Sequence, residues 1–150
     1  MAAIKFSEKI NIHETQDIIF DYTQDYNNRL YWDIFLKRAE LIEGAKAGKG
    51  VRAYCVAKNG LGMETEYVSF NRPTVTAVRM TKGPFLFKTF LGLWTFKKFT
   101  QGITEVTFLY SFELRFPFNL ITYFIKRNLQ NNVRQRLLDL KTCIEKSTNS

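Results

Sequence analysis

The chain has 150 residues, of which 45% are hydrophobic and 24% are charged, a balance that predicts one globular domain and excludes a disordered chain. We assign this domain to residues 1–146 and a polar tail to residues 147–150. The net charge of +8 favours anionic partners, but the basic residues are spread thinly and no nucleic-acid motif occurs, so nucleic acid is not an expected partner.

The sequence also indicates the cellular compartment in which the protein is expected. Residues 1–12 alternate polar and apolar side chains and do not read as a secretion signal. No uncharged apolar run approaches the roughly 20 residues that a membrane span needs. Cys55 and Cys143 have neither a metal-ligand nor a redox spacing, so we expect reduced thiols in a cytoplasmic protein.

The first predicted elements are a strand and two short helices. Residues 4–13 alternate apolar and charged side chains, which is typical of a strand with one buried face. A helix capped by Thr15 follows, and a second short helix covers about residues 26–32. The first helix is expected to bury Ile18, Ile19 and Tyr22.

Six further strands follow, separated by short turns. We place them at residues 35–43, 51–58, 61–70, 74–81, 93–100 and 106–116. Asn59-Gly60 is the strongest hairpin signal of the chain, whereas the 35–43 strand has no clean alternation and is expected to contain a bulge. Because short turns make consecutive strands neighbours, these strands and the first one predict a seven-stranded antiparallel sheet.

The chain ends in a long amphipathic helix, predicted over residues 117–146. The strand before it turns alternate residues to one face, namely Val106, Phe108, Tyr110, Phe112 and Leu114. The helix carries an apolar stripe made of Leu120, Ile121, Phe124, Ile125, Leu129, Val133, Leu137, Leu140 and Ile144. A curved sheet wrapped around such a helix gives an α+β fold with an apolar space between the two.

That space predicts a site for a hydrophobic small molecule, whose identity the sequence pattern does not give. The candidate ligand-binding residues are Met63, Thr65, Tyr67, Met80, Phe90, Trp94, Phe108, Tyr110, Phe112, Phe124 and Ile125. The apolar members would contact the body of the ligand, and the tyrosine hydroxyls would orient it by hydrogen bonding. Glu64 and Glu66 lie on the opposite face of their strand, where we expect them to be solvated.

The segment 85–92 is apolar on both faces, which suits a lid-like loop or a strand buried on two sides. The aromatic and aliphatic side chains of residues 85–94 cannot all face one cavity. Part of them would form an apolar patch for a membrane surface or a second copy of the chain, or would close the mouth of the cavity.

Several short motifs occur in a fixed order along the chain. They are 18–22 (Ile-Ile-Phe-Asp-Tyr), Trp32-Asp33, Gly44 and Gly50, Arg72-Pro73, Trp94-Thr95-Phe96, and 102–106 (Gly-Ile-Thr-Glu-Val). Their order and spacing resemble the START-like superfamily, also called SRPBCC, and its polyketide cyclase/dehydrase and lipid transport branch. The resemblance implies a helix-grip fold and a cavity for lipids, sterols, polyketides or plant hormones, in which some members catalyse cyclisation or dehydration.

No residue pattern identifies a catalytic site. The only histidine, His13, follows the first strand, where we expect an exposed or capping role, and no phosphate loop or metal-ligand cluster occurs. No cofactor is therefore predicted. The first hypothesis is a binding protein, the second a cyclase or dehydratase with Tyr67 or Tyr110 as the acid, and the third an interaction module that uses residues 85–94.

Overall fold

The computed structural model describes residues 3–44 and 46–148 and confirms the predicted helix-grip architecture. The strands of the described chain are β1 (Ile4–Ile12), β2 (Leu36–Ile42), β3 (Arg52–Ala57), β4 (Gly62–Asn71), β5 (Val75–Lys82), β6 (Phe87–Thr100) and β7 (Ile103–Leu114). The helices are α1 (Gln16–Gln24), α2 (Arg29–Trp32) and α3 (Thr122–Thr148), and a 3-10 turn at Phe118–Ile121 precedes α3. Of the predicted polar tail, residues 149 and 150 lie outside the described residues.

These strands form one antiparallel sheet in the order β1-β7-β6-β5-β4-β3-β2. Strands β2 to β7 follow the chain order because short turns join them, and β1 completes the sheet by pairing with β7, Ile4 opposite Phe112. The bulge predicted in the second strand is confirmed, since the pairing of β2 with β3 shifts between Leu36 and Arg38.

The core lies between the inner face of the sheet and the C-terminal half of α3. As the alternation predicts, every second residue of β7 from Val106 to Leu114 is buried. From α3, the buried members of the predicted stripe are Val133, Leu137, Leu140 and Ile144. Fully burying one such side chain contributes about 1.5–3 kcal/mol, so this half of the helix holds the sheet and α3 together.

The N-terminal part of the predicted stripe does not join the core. Leu120, Ile121 and Phe124 are exposed, because the chain first makes the 3-10 turn and α3 then begins at Thr122. The following side chains of α3 lie over a pocket and not over packed sheet residues. Of this part of the stripe, Phe124, Ile125 and Leu129 line the pocket, whereas Leu120 and Ile121 do not.

The ambiguous segment 85–92 is resolved as the start of a strand. β6 begins at Phe87, and its pairing with β7 shifts between Phe87 and Thr89. That bulge turns both Phe87 and Phe90 inward, and a spacing of three residues hides the alternation that identifies a strand. Of the large hydrophobic residues in this segment, Phe85 stays exposed.

Two burial predictions are wrong. In α1, Phe20 is buried against the rings of Phe70 and Phe96, while Ile18 is exposed, so the helix is rotated from the predicted orientation. On β4, Glu64 is buried and not solvated. The Thr81 hydroxyl donates to Glu64 Oε2 at 2.6 Å, and Arg52 lies 3.8 Å away, so the carboxylate is compensated on the outer face of the sheet.

Candidate functional site

A pocket of about 380 Å³ lies between the inner face of the sheet and the N-terminal half of α3. Most of its wall is apolar and comes from β3 to β7 and α3. The polar side chains of the wall are Gln24, Tyr26, Arg29, Asn59, Thr65, Tyr67, Thr76, Tyr110, Asn128 and Arg136. A largely apolar wall with a few polar groups is typical of small-molecule sites, and its volume lies at the lower end of their usual range.

Nine of the eleven predicted ligand-binding residues line this pocket, namely Met63, Thr65, Tyr67, Phe90, Trp94, Phe108, Tyr110, Phe124 and Ile125. The other two, Met80 and Phe112, are absent from the lining. Phe112 lies on the correct face of β7 but is fully buried behind the rings of Phe87 and Phe90. Met80 packs at the edge of the core. That any of these residues contacts a ligand stays a prediction.

Three charged residues form a buried cluster beside the pocket, which we call the charge cluster: Arg29, Asp33 and Arg136. Arg29 Nε donates to Asp33 Oδ2 at 2.8 Å. Arg136 donates to the same carboxylate with two nitrogens, Nε to Oδ1 at 3.0 Å and Nη2 to Oδ2 at 2.8 Å. Arg136 Nη1 donates to the Tyr110 hydroxyl at 2.7 Å, so all three of its nitrogens are bonded.

The protonation states of the charge cluster follow from its geometry. Burial acts to raise the pKa of Asp33, but the two guanidinium groups outweigh it and hold that pKa below its usual range. Burial acts to lower the pKa values of both arginines, and the attraction to Asp33 outweighs it and raises them. All three groups are therefore charged at neutral pH.

A second polar network joins α1 to the sheet at the pocket wall. The Tyr67 hydroxyl donates to Gln24 Oε1 at 2.7 Å and lies 3.3 Å from the Tyr26 hydroxyl. Burial is the main reason that the pKa of Tyr67 lies well above its usual range, and burial also raises the pKa of Tyr26. Both phenols are therefore neutral hydrogen-bonding groups. The ring of Tyr26 lies 5.8 Å from the Arg29 guanidinium, which connects this network to the charge cluster.

Sequence reasoning missed the charge cluster, although two signals for it were present. Arg29 and Asp33 lie four residues apart, the spacing of side chains that meet on a helix. Arg136 follows Val133 by three residues and precedes Leu140 by four, which places a guanidinium on the buried stripe of α3. A charged residue at such a position needs a buried partner, and Asp33 supplies it.

Exposed apolar side chains occur next to the pocket residues Leu86 and Phe124, in the segment before β6 and at the start of α3. We call them the mouth patch: Phe85, Phe116, Leu120, Tyr123 and Phe124. They are between 66% and 74% exposed. The patch is continuous with the pocket, because Phe124 also lines it. The backbone N–H of Arg115 donates to the Leu86 carbonyl at 2.8 Å, which brings Phe116 and Phe85 to the same edge of the molecule.

Two other kinds of site are absent from the described parts of the chain, residues 3–44 and 46–148. No group of three or more histidine, cysteine or acidic residues there could hold a metal ion. No helix in those ranges combines the length and apolar character required to cross a membrane. The single histidine, His13, lies near the end of α3, where its backbone N–H donates to Glu145 Oε2 at 2.9 Å. The pocket with its charge cluster and mouth patch is therefore the candidate site.

Comparison with known proteins places this architecture in context. The model of a family described as polyketide cyclase / dehydrase and lipid transport matches residues 3–145. No curated protein matches the chain.

Solved structures share the fold at low sequence identity. The Zhui aromatase/cyclase from a Streptomyces species superposes with a TM-score of 0.84 at 12% identity, covering 97% of this chain and 96% of that one. A protein from Thermus thermophilus gives 0.81 at 17% identity, with coverage of 96% and 99%. The major latex-like protein 151 from Panax ginseng gives 0.73 at 12%, with coverage of 95% and 97%. At these identities the likeness establishes the fold and carries no activity.

Proposed function

The chain belongs to the polyketide cyclase / dehydrase and lipid transport family, and on that premise we propose that it binds one hydrophobic small molecule, of the lipid, isoprenoid or polyketide-like kind. The observation that carries the proposal is the pocket of about 380 Å³ with a mainly apolar wall. Transfer of apolar ligand surface from water into such a wall contributes roughly 25 cal/mol per Å² before the costs of association.

The volume bounds the size of the ligand. If each non-hydrogen atom takes about the 30 Å³ that one water occupies in the liquid, the pocket holds roughly a dozen such atoms. A longer ligand would extend through the mouth past Phe124. The aromatic rings of Phe90, Trp94 and Phe108 supply flat apolar surfaces for the part that is enclosed.

The first test is a native mass spectrum of the purified protein, repeated after mild denaturation. A discrete mass that is lost on unfolding would identify the class of bound molecule.

The binding site is tested by Val78→Phe, which adds a ring inside the pocket from β5. Val75→Phe is the matched control, because the same substitution on the same strand faces away from the pocket. We expect Val78→Phe to abolish ligand retention and Val75→Phe to preserve it. Equal retention by both variants would contradict the proposal.

A second candidate function is supported by the mouth patch. Apolar surfaces of this kind on a soluble domain are typical of contact sites. Between residues 114 and 133 the chain carries three basic residues, Arg115, Lys126 and Arg127, and no acidic residue, so the surface beside the patch is positively charged. We infer that the mouth patch contacts an anionic membrane surface, which would bring the pocket mouth next to its lipid ligands.

Vesicle sedimentation tests the membrane contact. We expect binding to vesicles that contain phosphatidylserine and much weaker binding to phosphatidylcholine alone. Phe116→Ser with Leu120→Ser should abolish it. Leu138→Ser is a control, because Leu138 is an exposed leucine on α3 outside the patch. Sedimentation that is unaffected by the double substitution would rule out docking through the patch.

A further inference from the structure

The pocket wall contains more positive than negative charge. Arg29 and Arg136 both line the pocket, and both form their ion pairs with the single carboxylate of Asp33. Among the described residues neither guanidinium has a second carboxylate within ion-pairing distance. Two buried cations and one buried anion leave one positive charge in excess.

Neighbouring groups do not neutralise this excess. Tyr26, Tyr67 and Cys55 line the same pocket, and burial raises the pKa of each, so all three are uncharged at neutral pH. Glu40, the next acidic residue along β2, is exposed and paired with Arg38. The excess charge therefore faces an otherwise neutral and largely apolar space.

The geometry assigns the excess to Arg29. Arg136 is fully occupied, with two hydrogen bonds to Asp33 and one to Tyr110. Arg29 donates from Nε to Asp33, and its terminal nitrogens donate to no carboxylate within the described chain. Its guanidinium lies over the rings of Tyr26 and Trp32, at 5.8 and 5.1 Å from their centres, which holds it in place.

We propose that the ligand carries a carboxylate, which pairs with Arg29 while its apolar body fills the rest of the pocket. This inference rests on the proposed function, since it names the class of molecule that the same pocket takes. A buried cation that lacks a full counter-charge is costly, and a bound anion removes that cost. A carboxylate matches the planar fork of a guanidinium with two parallel hydrogen bonds. One negative charge also balances the excess, whereas a doubly charged phosphate would reverse it.

The test compares two molecules of nearly equal length, decanoate and decan-1-ol, both of which match the pocket volume. Binding is followed at neutral pH by the fluorescence of the tryptophans, since Trp94 lines the pocket and Trp32 contacts it at 6.1 Å between ring centres. We expect decanoate to bind the wild-type protein at least about tenfold more tightly than decan-1-ol. Equal binding of the two, or tighter binding of the alcohol, would overturn the inference and leave the proposed function intact. Failure of both to bind would contradict the proposed function itself.

Substitution of Arg29 tests whether this residue is the source of the preference for decanoate. Arg29→Gln removes the excess positive charge. It leaves both hydrogen bonds from Arg136 to Asp33 in place, so the fold is retained. We expect it to weaken decanoate binding by at least about tenfold with little change for decan-1-ol, and Arg29→Lys to preserve most of the preference. A preference for decanoate that survives Arg29→Gln would exclude Arg29 as its partner. The comparison of ligands on the wild-type protein does not depend on whether either variant folds.

Discussion

The two ends of the pocket differ in kind: charged side chains are buried at one end, and large apolar side chains are exposed at the other. At the inner end the charge cluster of Arg29, Asp33 and Arg136 is buried, with Asp33 fully excluded from solvent. At the outer end the mouth patch, with Leu120 and Phe124, is exposed. Charged groups are normally solvated and large apolar groups buried, so each end departs from what stability alone would favour.

The difference shows that the two regions contribute differently to folding. The charge cluster is connected to α2, α3 and β7 by hydrogen bonds between 2.7 and 3.0 Å, and removing Asp33 leaves two buried guanidinium groups without their carboxylate. The mouth patch makes few internal contacts, so its members can be removed at little cost to the fold. We therefore expect large effects on stability from the first region and small ones from the second.

The largest effect is predicted for Asp33→Asn. This substitution removes the one negative charge between two buried guanidinium groups, and such a loss typically costs about 3–5 kcal/mol. The measurement is the free energy of unfolding in urea. The control is Asp21→Asn, which removes an exposed ion pair with Arg72 and should leave the unfolding free energy unchanged. Similar unfolding curves for the two variants would show that the cluster is solvated in solution.

A smaller effect is predicted for Tyr110→Phe. The substitution removes the acceptor of Arg136 Nη1 and leaves a buried donor without a partner, which costs about 1–3 kcal/mol. Tyr123→Phe, in the mouth patch, serves as the control, and its unfolding free energy should match the wild-type value. If Tyr110→Phe were neutral, a water would have to replace the hydroxyl, and the pocket would be wetter than its apolar wall implies.

Tyr110→Phe combined with Tyr67→Phe also separates binding from catalysis. A binding protein keeps most of its affinity for an apolar ligand, because the rings remain. A cyclase or dehydratase that uses either phenol as its acid keeps binding but loses turnover. The readout is ligand affinity measured beside turnover of a polyketide-like substrate.

The difference between the two ends also explains what the sequence could predict. The alternation of β7 reports burial directly, because each position of a strand faces either the core or the outside. In the charge cluster the pair of Arg29 and Asp33 has a local four-residue spacing, but the contact of Arg136 with Asp33 joins residues far apart in the sequence and no local pattern encodes it. Two members of the mouth patch, Leu120 and Phe124, belong to the predicted amphipathic stripe. Periodicity shows that they share a face of the helix but not whether anything covers that face.

A still smaller effect on stability is predicted on acidification. The segment between positions 114 and 138, which holds most of the mouth patch, has no acidic residue, so the carboxylates that respond to pH lie elsewhere. Burial acts to raise the pKa of Glu145, but hydrogen bonds from Lys141 and His13 outweigh it and lower the pKa from 4.5 to about 2. The pKa of Asp33 is likewise held below its usual 3.8. A carboxylate whose pKa is lower in the folded state stabilises the fold above its unfolded pKa and loses that contribution as the pH falls through its folded pKa.

We therefore expect the urea midpoint to fall as the pH is lowered below about 4.5. Glu145→Gln should remove part of this fall between pH 4.5 and about 2. The part that Glu145 supplies is modest, because the carboxylate is partly exposed to solvent and screened. A variant with the same pH profile as the wild type would show that its contacts at the end of α3 do not persist in solution.

The smallest effect on stability is predicted for Leu120→Ala. Its side chain is exposed in the 3-10 turn before α3, so its loss should change the unfolding free energy by no more than about 0.5 kcal/mol. Leu140→Ala is the matched control on the same helix, where the leucine is fully buried and its removal costs about 2–5 kcal/mol. A loss of several kcal/mol from Leu120→Ala would mean that the mouth patch is covered in solution. A neutral result, together with lost vesicle binding when Leu120 and Phe116 are both serine, would mean that the exposed leucine serves docking at the pocket mouth and not folding.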